Sequence, residues 1–100
     1  MAKRENSFQA KLIKEIYQIF GEDECLVMKT DPNYIQGIPD LLVLYRDKWA
    51  LLECKREEDA VHQNNQDYYV EWLNNLSYSS FIYPENKEAV LNELQQALQP

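Results

Sequence analysis

One hundred residues leave room for one small domain and one core, so the chain is read as a single domain over residues 1–100. No apolar run approaches the roughly 20 residues that span a bilayer, and the opening MAKRENSF has no apolar signal segment, so a soluble, intracellular, cytoplasmic protein is expected. A net charge of −7 works against partners held by diffuse electrostatic attraction, nucleic acid above all. Lys3, Arg4, Lys11 and Lys14 nevertheless leave a local basic surface near one end.

In chain order, SFQAKLIKEIYQIF repeats apolar residues at helical spacing and stops at Gly21, a C-terminal helix signal. CLVMKT reads as a strand, and DPNYIQGIP, with two prolines and a glycine, as a loop. DLLVLYR and KWALLECK read as strands flanking a tight turn near Asp47. HQNNQDYYVEWLNNL is helical, SSFIY is a short strand, and ENKEAVLNELQQAL is an amphipathic helix after Pro84. The order α-β-β-β-α-β-α predicts an α/β or α+β fold, a small mixed sheet with helices on both faces. Cys25 and Cys54 sit inside apolar runs, which suits reduced, buried thiols. His62 is the single histidine, too few for a Cys/His zinc site, and a solvated or capping role is its default.

Charge at the ends of apolar strands carries the functional signal. Asp40 opens one run, and Glu53 and Lys55 close the next. Side chains alternate along a strand, so Glu53 and Lys55 share a face and Cys54 points away from it. A two-residue turn at Asp47-Lys48 pairs Asp40 with Lys55 and Leu42 with Glu53, which brings all three charges to one face. A three-residue turn would send Asp40 to the other side. Two carboxylates and a lysine so placed suit Mg²⁺, with Mn²⁺ able to substitute, and the Cys54 carbonyl could add another oxygen. The plainer alternative is a cross-strand ion pair at a frayed sheet end. Gln66 falls within the apolar stripe of the second long helix, where a buried amide needs partners. Glu5 and Gln9 both fall in the apolar arc of the first helix, and either could reach the site. Lys29, Tyr34 and Gln36 flank the loop into Asp40 and are candidate substrate contacts, with Lys11, Lys14, Arg46 and Lys48 as further basic positions.

Glu5, GIPD at 37–40, LECK at 52–55 and QDYYVEWL at 66–73 together resemble the PD-(D/E)XK nuclease superfamily. Within it they are most similar to the small stand-alone VRR-NUC type known from phages and related to Holliday junction resolvases. The resemblance implies a restriction-endonuclease-like αβββαβ core and a metal-dependent DNA endonuclease acting on branched DNA in the host cell, as a homodimer. It implies Asp40 and Glu53 as metal ligands, Lys55 as the catalytic lysine, Gln66 as the helix glutamine that follows it, and Glu5 as a metal contact through water. Gln9 could take the place given to Glu5, and Ser77-Tyr78 stands where related sequences often carry Gly-Tyr. Two rival readings keep the fold without the chemistry. One is a catalytically silent domain that binds DNA or a DNA-repair protein, and the other is a structural protein whose strand-end charges are ion pairs only.

Overall fold

Apolar residues spaced three and four apart from Phe8 to Phe20 form one stripe on a helix, and Leu12, Ile16 and Phe20 on it are buried. The computed structural model describes the backbone of residues 2–100 and the side chains of residues 7–100. Helix α1 (Ala2–Phe20) ends at Gly21, whose φ of +86° lets its N–H return to the Tyr17 carbonyl at 2.8 Å. Strands β1 (Cys25–Lys29), β2 (Leu41–Tyr45) and β3 (Lys48–Cys54) follow, then helix α2 (Gln66–Leu76), strand β4 (Tyr78–Ile82) and helix α3 (Lys87–Leu98). The predicted order of elements is the observed one. Helix α2 begins at Gln66, four residues later than His62, because Asn65 just before it adopts a left-handed φ of 71°. No helix among the described residues is long and apolar enough to cross a membrane.

The strands lie in the order β1-β2-β3-β4, with β1, β2 and β3 antiparallel and β4 parallel to β3. This is the small mixed sheet of an α+β fold. Helices α1 and α3 cover one face, where Leu41, Val43, Ala50, Leu52, Cys54 and Ile82 meet Leu12, Ile16, Val90, Leu94 and Leu98. Both cysteines are buried, as expected, and burial pushes the Cys25 thiol up from its ordinary pKa.

Helix α2 packs on the other face over β3 and β4. The expectation that helices bury both faces of the middle strands holds for β3 and only in part for β2, and the edge strand β1 is open on this face. Leu26 and Met28 are about half exposed, at 50% and 45%, beside half-buried Leu42 and Leu44. Eleven residues of helix, about 16 Å long, are too short to roof four strands. The outer edge of β1 is guarded instead by α1: the Val27 N–H donates to the Tyr17 hydroxyl at 2.9 Å.

The β2–β3 register corrects one expectation. Tyr45 pairs with Lys48, so the two turn residues are Arg46 and Asp47 rather than Asp47 and Lys48. Arg46 supplies the left-handed residue, at φ 55°. Its side chain holds both carboxylate oxygens of Glu24 at 3.0 and 2.9 Å, and its N–H reaches the Glu24 carbonyl. That tie to the start of β1 favours the turn one residue earlier than local preference suggests. Ser77, which ends α2, has φ −147°, a conformation that needs no glycine.

Candidate functional site

Leu41 pairs with Leu52, and continuing that register by one residue sets Asp40 opposite Glu53. The shift in the turn therefore leaves the two carboxylates on one face and makes them direct neighbours across the strands, with Lys55 one step beyond. Loop and strand pin Asp40 from behind. The Thr30 N–H donates to the Asp40 carbonyl at 2.9 Å, and the Thr30 hydroxyl donates to the Pro39 carbonyl at 2.7 Å. The Asp40 carboxylate accepts the Cys54 N–H at 3.1 Å, which ties its side chain to the end of β3.

Glu53 is 2% exposed and Lys55 6%, far below what charged residues usually show. Gln66 bridges them. Its Oε1 accepts from Lys55 Nζ at 2.6 Å, and its Nε2 donates to Glu53 Oε2 at 2.9 Å. The charges settle the amide's orientation, since its oxygen must meet the ammonium and its NH₂ the carboxylate. Lys55 Nζ also donates to the Val61 carbonyl at 3.1 Å, and the Gln63 N–H donates to Gln66 Oε1 at 2.8 Å. Lys55 Nζ stands 3.9 Å from Glu53 Oε2, beyond hydrogen-bond length. The buried charges thus form an ion pair too long for a hydrogen bond, with the Gln66 amide bridging it.

The sequence-derived residues divide into two groups. Asp40, Glu53, Lys55 and Gln66 come together, with the Cys54 backbone between them. Of the substrate candidates, Tyr34 is 84% exposed on the loop before Asp40, with Gln36 exposed beside it. Lys29 is exposed at the end of β1 but registers with Leu41, so it projects from the opposite face to Asp40. Gln9 is half-buried on α1, whereas the side chain of Glu5, with those of Lys3 and Arg4, lies outside the described residues. Arg46 and Lys48 sit at the far end of the hairpin, roughly 20 Å from Asp40 at about 3.4 Å per residue.

Three participants escaped the sequence reading. The Val61 carbonyl is a backbone group and leaves no side-chain signal. Asn65 matters through its left-handed backbone, against which Gly37 packs. His62 does not extend freely into solvent: its ring stacks on Phe81, and its Nδ1 lies 2.7 Å from Asp67 Oδ1.

Among the described residues, no three His, Cys, Asp or Glu side chains gather into a metal cage. A Mg²⁺ site does not require one, because that ion keeps several waters and takes one or two carboxylates. Adjacent carboxylates from Asp40 and Glu53 fit such a donor set. No protein-family model, curated protein or solved structure matches this chain.

Proposed function

We propose that this chain is a divalent-metal-dependent endodeoxyribonuclease of the PD-(D/E)XK type, hydrolysing phosphodiesters in branched DNA. The observation that carries the reading is Asp40 tied to the Cys54 N–H beside Glu53, with Gln66 bridging Glu53 to a buried Lys55. Asp40, Glu53 and the Cys54 carbonyl would hold Mg²⁺ or Mn²⁺, and Glu5 would contact it through water. Such an ion, when bound, activates water and offsets charge on the phosphoryl group. Lys55, kept straight by Val61 and Gln66, is placed to orient the attacking water and stabilise negative charge developing on phosphorus oxygens. Gln66 fixes the ammonium relative to the carboxylate. Tyr34 and Gln36 would meet the strand near the site, whereas Lys29, on the opposite face, would not, and recognition by branched shape suits a chain without a base-reading module.

Purified protein incubated with four-way junction, flap, single-stranded and linear duplex DNA, each with Mg²⁺, Mn²⁺ or EDTA, tests this directly. The expected outcome is cleavage of branched substrates that EDTA abolishes. Calorimetry should also show Mn²⁺ binding to the wild type, weakened at least about tenfold in Asp40→Asn by loss of one anionic ligand. No cleavage in any arm, together with equal metal affinity in both proteins, would remove the proposal.

The homodimer implied by the resemblance would have a surface to use. Leu26, Met28, Leu42 and Leu44 form an open apolar patch that two copies could bury against each other, with Glu22, Asp23, Glu24 and Arg46 at its rim beside Leu26 and Leu44. The same patch favours the binding-only reading if it takes a different protein. Light scattering is expected to give twice the chain mass, falling to one chain mass in Leu26→Asp/Met28→Asp; a monomeric wild type at high micromolar concentration would reject the dimer.

A further inference from the structure

His62 lies between the two residues that accept from the Lys55 ammonium, has no part in the proposed chemistry, and has a side chain 34% exposed. Its imidazole lies flat on Phe81, with ring centroids 4.1 Å apart and planes 17° apart. Phe81 is the β4 residue in register with Glu53, so the stack anchors His62 to the strand beside the site. The imidazole Nδ1 lies 2.7 Å from Asp67 Oδ1, a distance at which Nδ1–H donates to a carboxylate.

These two contacts bracket both acceptors of the Lys55 ammonium. Val61, immediately before His62, supplies the carbonyl at 3.1 Å, and Gln66, immediately before Asp67, supplies Oε1 at 2.6 Å. Val61 cannot anchor its own peptide through packing, since it is 76% exposed. The end of the turn at 63–66 is closed by the Gln63–Gln66 hydrogen bonds and by Asn65 against Gly37, but the exposed end at Val61 would open readily without a fastening of its own.

We infer that His62 is a positioning residue for Lys55, acting through Phe81 on one side and Asp67 on the other. Pinned to the sheet and to the first turn of α2, His62 holds the 61–66 turn closed over the ammonium. Its ring is required for the stack, and its Nδ1–H joins the two ends of the turn. The inference deepens the proposed nuclease reading, but its structural content is measurable without any cleavage.

Two readouts test it together. The first is the ammonium resonance of Lys55 in ¹H–¹⁵N spectra, assigned by its loss in Lys55→Met. It is expected to be protected in the wild type and to exchange at least about tenfold faster in His62→Ala, as it would if the turn opened. The second is the kcat against KM split for DNA cleavage. His62→Ala is expected to lower kcat by about tenfold to a hundredfold, the scale of a misplacement near 1 Å, with KM and Mn²⁺ affinity within about twofold of wild type. Asp67→Asn, whose amide oxygen still accepts from Nδ1–H, is expected to keep most of both signals, whereas Asp67→Leu is not. A folded His62→Ala protein with wild-type Lys55 exchange overturns the inference, as does one with wild-type kcat. Should His62→Ala fail to fold, His62→Phe, which keeps the stack and lacks Nδ1–H, is judged on the same readouts and limits. If the wild type cleaves no DNA, the nuclease reading falls and the Lys55 resonance alone decides the positioning role.

Discussion

Lys55→Met is expected to lower DNA cleavage by about 10²–10³-fold, the usual cost of removing one preorganised group that stabilises transition-state charge. The side chain is 6% exposed and held by two acceptors, so its ammonium is already in place before substrate arrives. Methionine has a similar length and no charge, which keeps the packing while deleting the chemistry. The substitution leaves Glu53 buried without its nearby cation and takes a donor from Gln66, a loss expected to cost up to about 3 kcal/mol in urea unfolding. Metal binding should move the other way. Removing one positive charge from beside Asp40 and Glu53 eases entry of a divalent cation, so Mn²⁺ affinity should hold or rise. Glu53→Gln, in contrast, should lose both metal and cleavage. A Lys55→Met protein that cuts at close to the wild-type rate would end the assignment of Lys55 as the catalytic lysine.

Gly37→Ala should cost about 2–4 kcal/mol from a left-handed backbone penalty and an overpacking penalty together. Gly37 has φ +92°, and a Cβ built there would lie 2.5 Å from Asn65 Cβ, 2.9 Å from the Asn64 carbonyl oxygen and 2.9 Å from Asn65 C. Two of those three atoms are backbone, so a rotamer change cannot relieve the clash. The loop before Asp40 and the start of α2 must then separate. Because Gln66 follows Asn65 directly, that separation draws its amide away from Lys55 and Glu53. At about 4–8 °C per kcal/mol for a domain of this size, the melting temperature should fall by roughly 10 °C or more. Cleavage by the folded fraction should fall as well. Thermal unfolding of Gly37→Ala within a degree or two of wild type would show that the two loops are not locked as described.

Much of this arrangement is legible from residue order. Alternation along DLLVLYR and KWALLECK places Asp40, Glu53 and Lys55 on one face for any even-numbered turn, and the structure keeps that parity. The stripe of Tyr69, Val70, Leu73 and Leu76 marks Gln66 as inward-facing, and its amide does find the two buried charges, although Leu76 at the last turn is exposed rather than buried. Less legible is the segment from 56 to 65. Its polar composition reads as a solvated run leading into a helix, yet His62 is stacked and Val61 carries a backbone acceptor. The stack needs β4, which lies some twenty residues further along the chain. Helical periodicity likewise runs on through Asn64 and Asn65, where close packing against Gly37 coincides with a left-handed residue and the helix begins just after it.

Residue order alone determines the kinds of element, their sequence and the face on which each charge falls, because these follow from local periodicity of two or 3.6 residues. Register, and with it the choice of Lys55 or Glu53 as the neighbour of Asp40, was decided by tertiary structure. Period-two alternation cannot distinguish registers that move each strand partner by two residues. Contacts between distant residues break the tie: Glu24 gripping Arg46 at one end of the hairpin, and Thr30 holding residues 39 and 40 at the other.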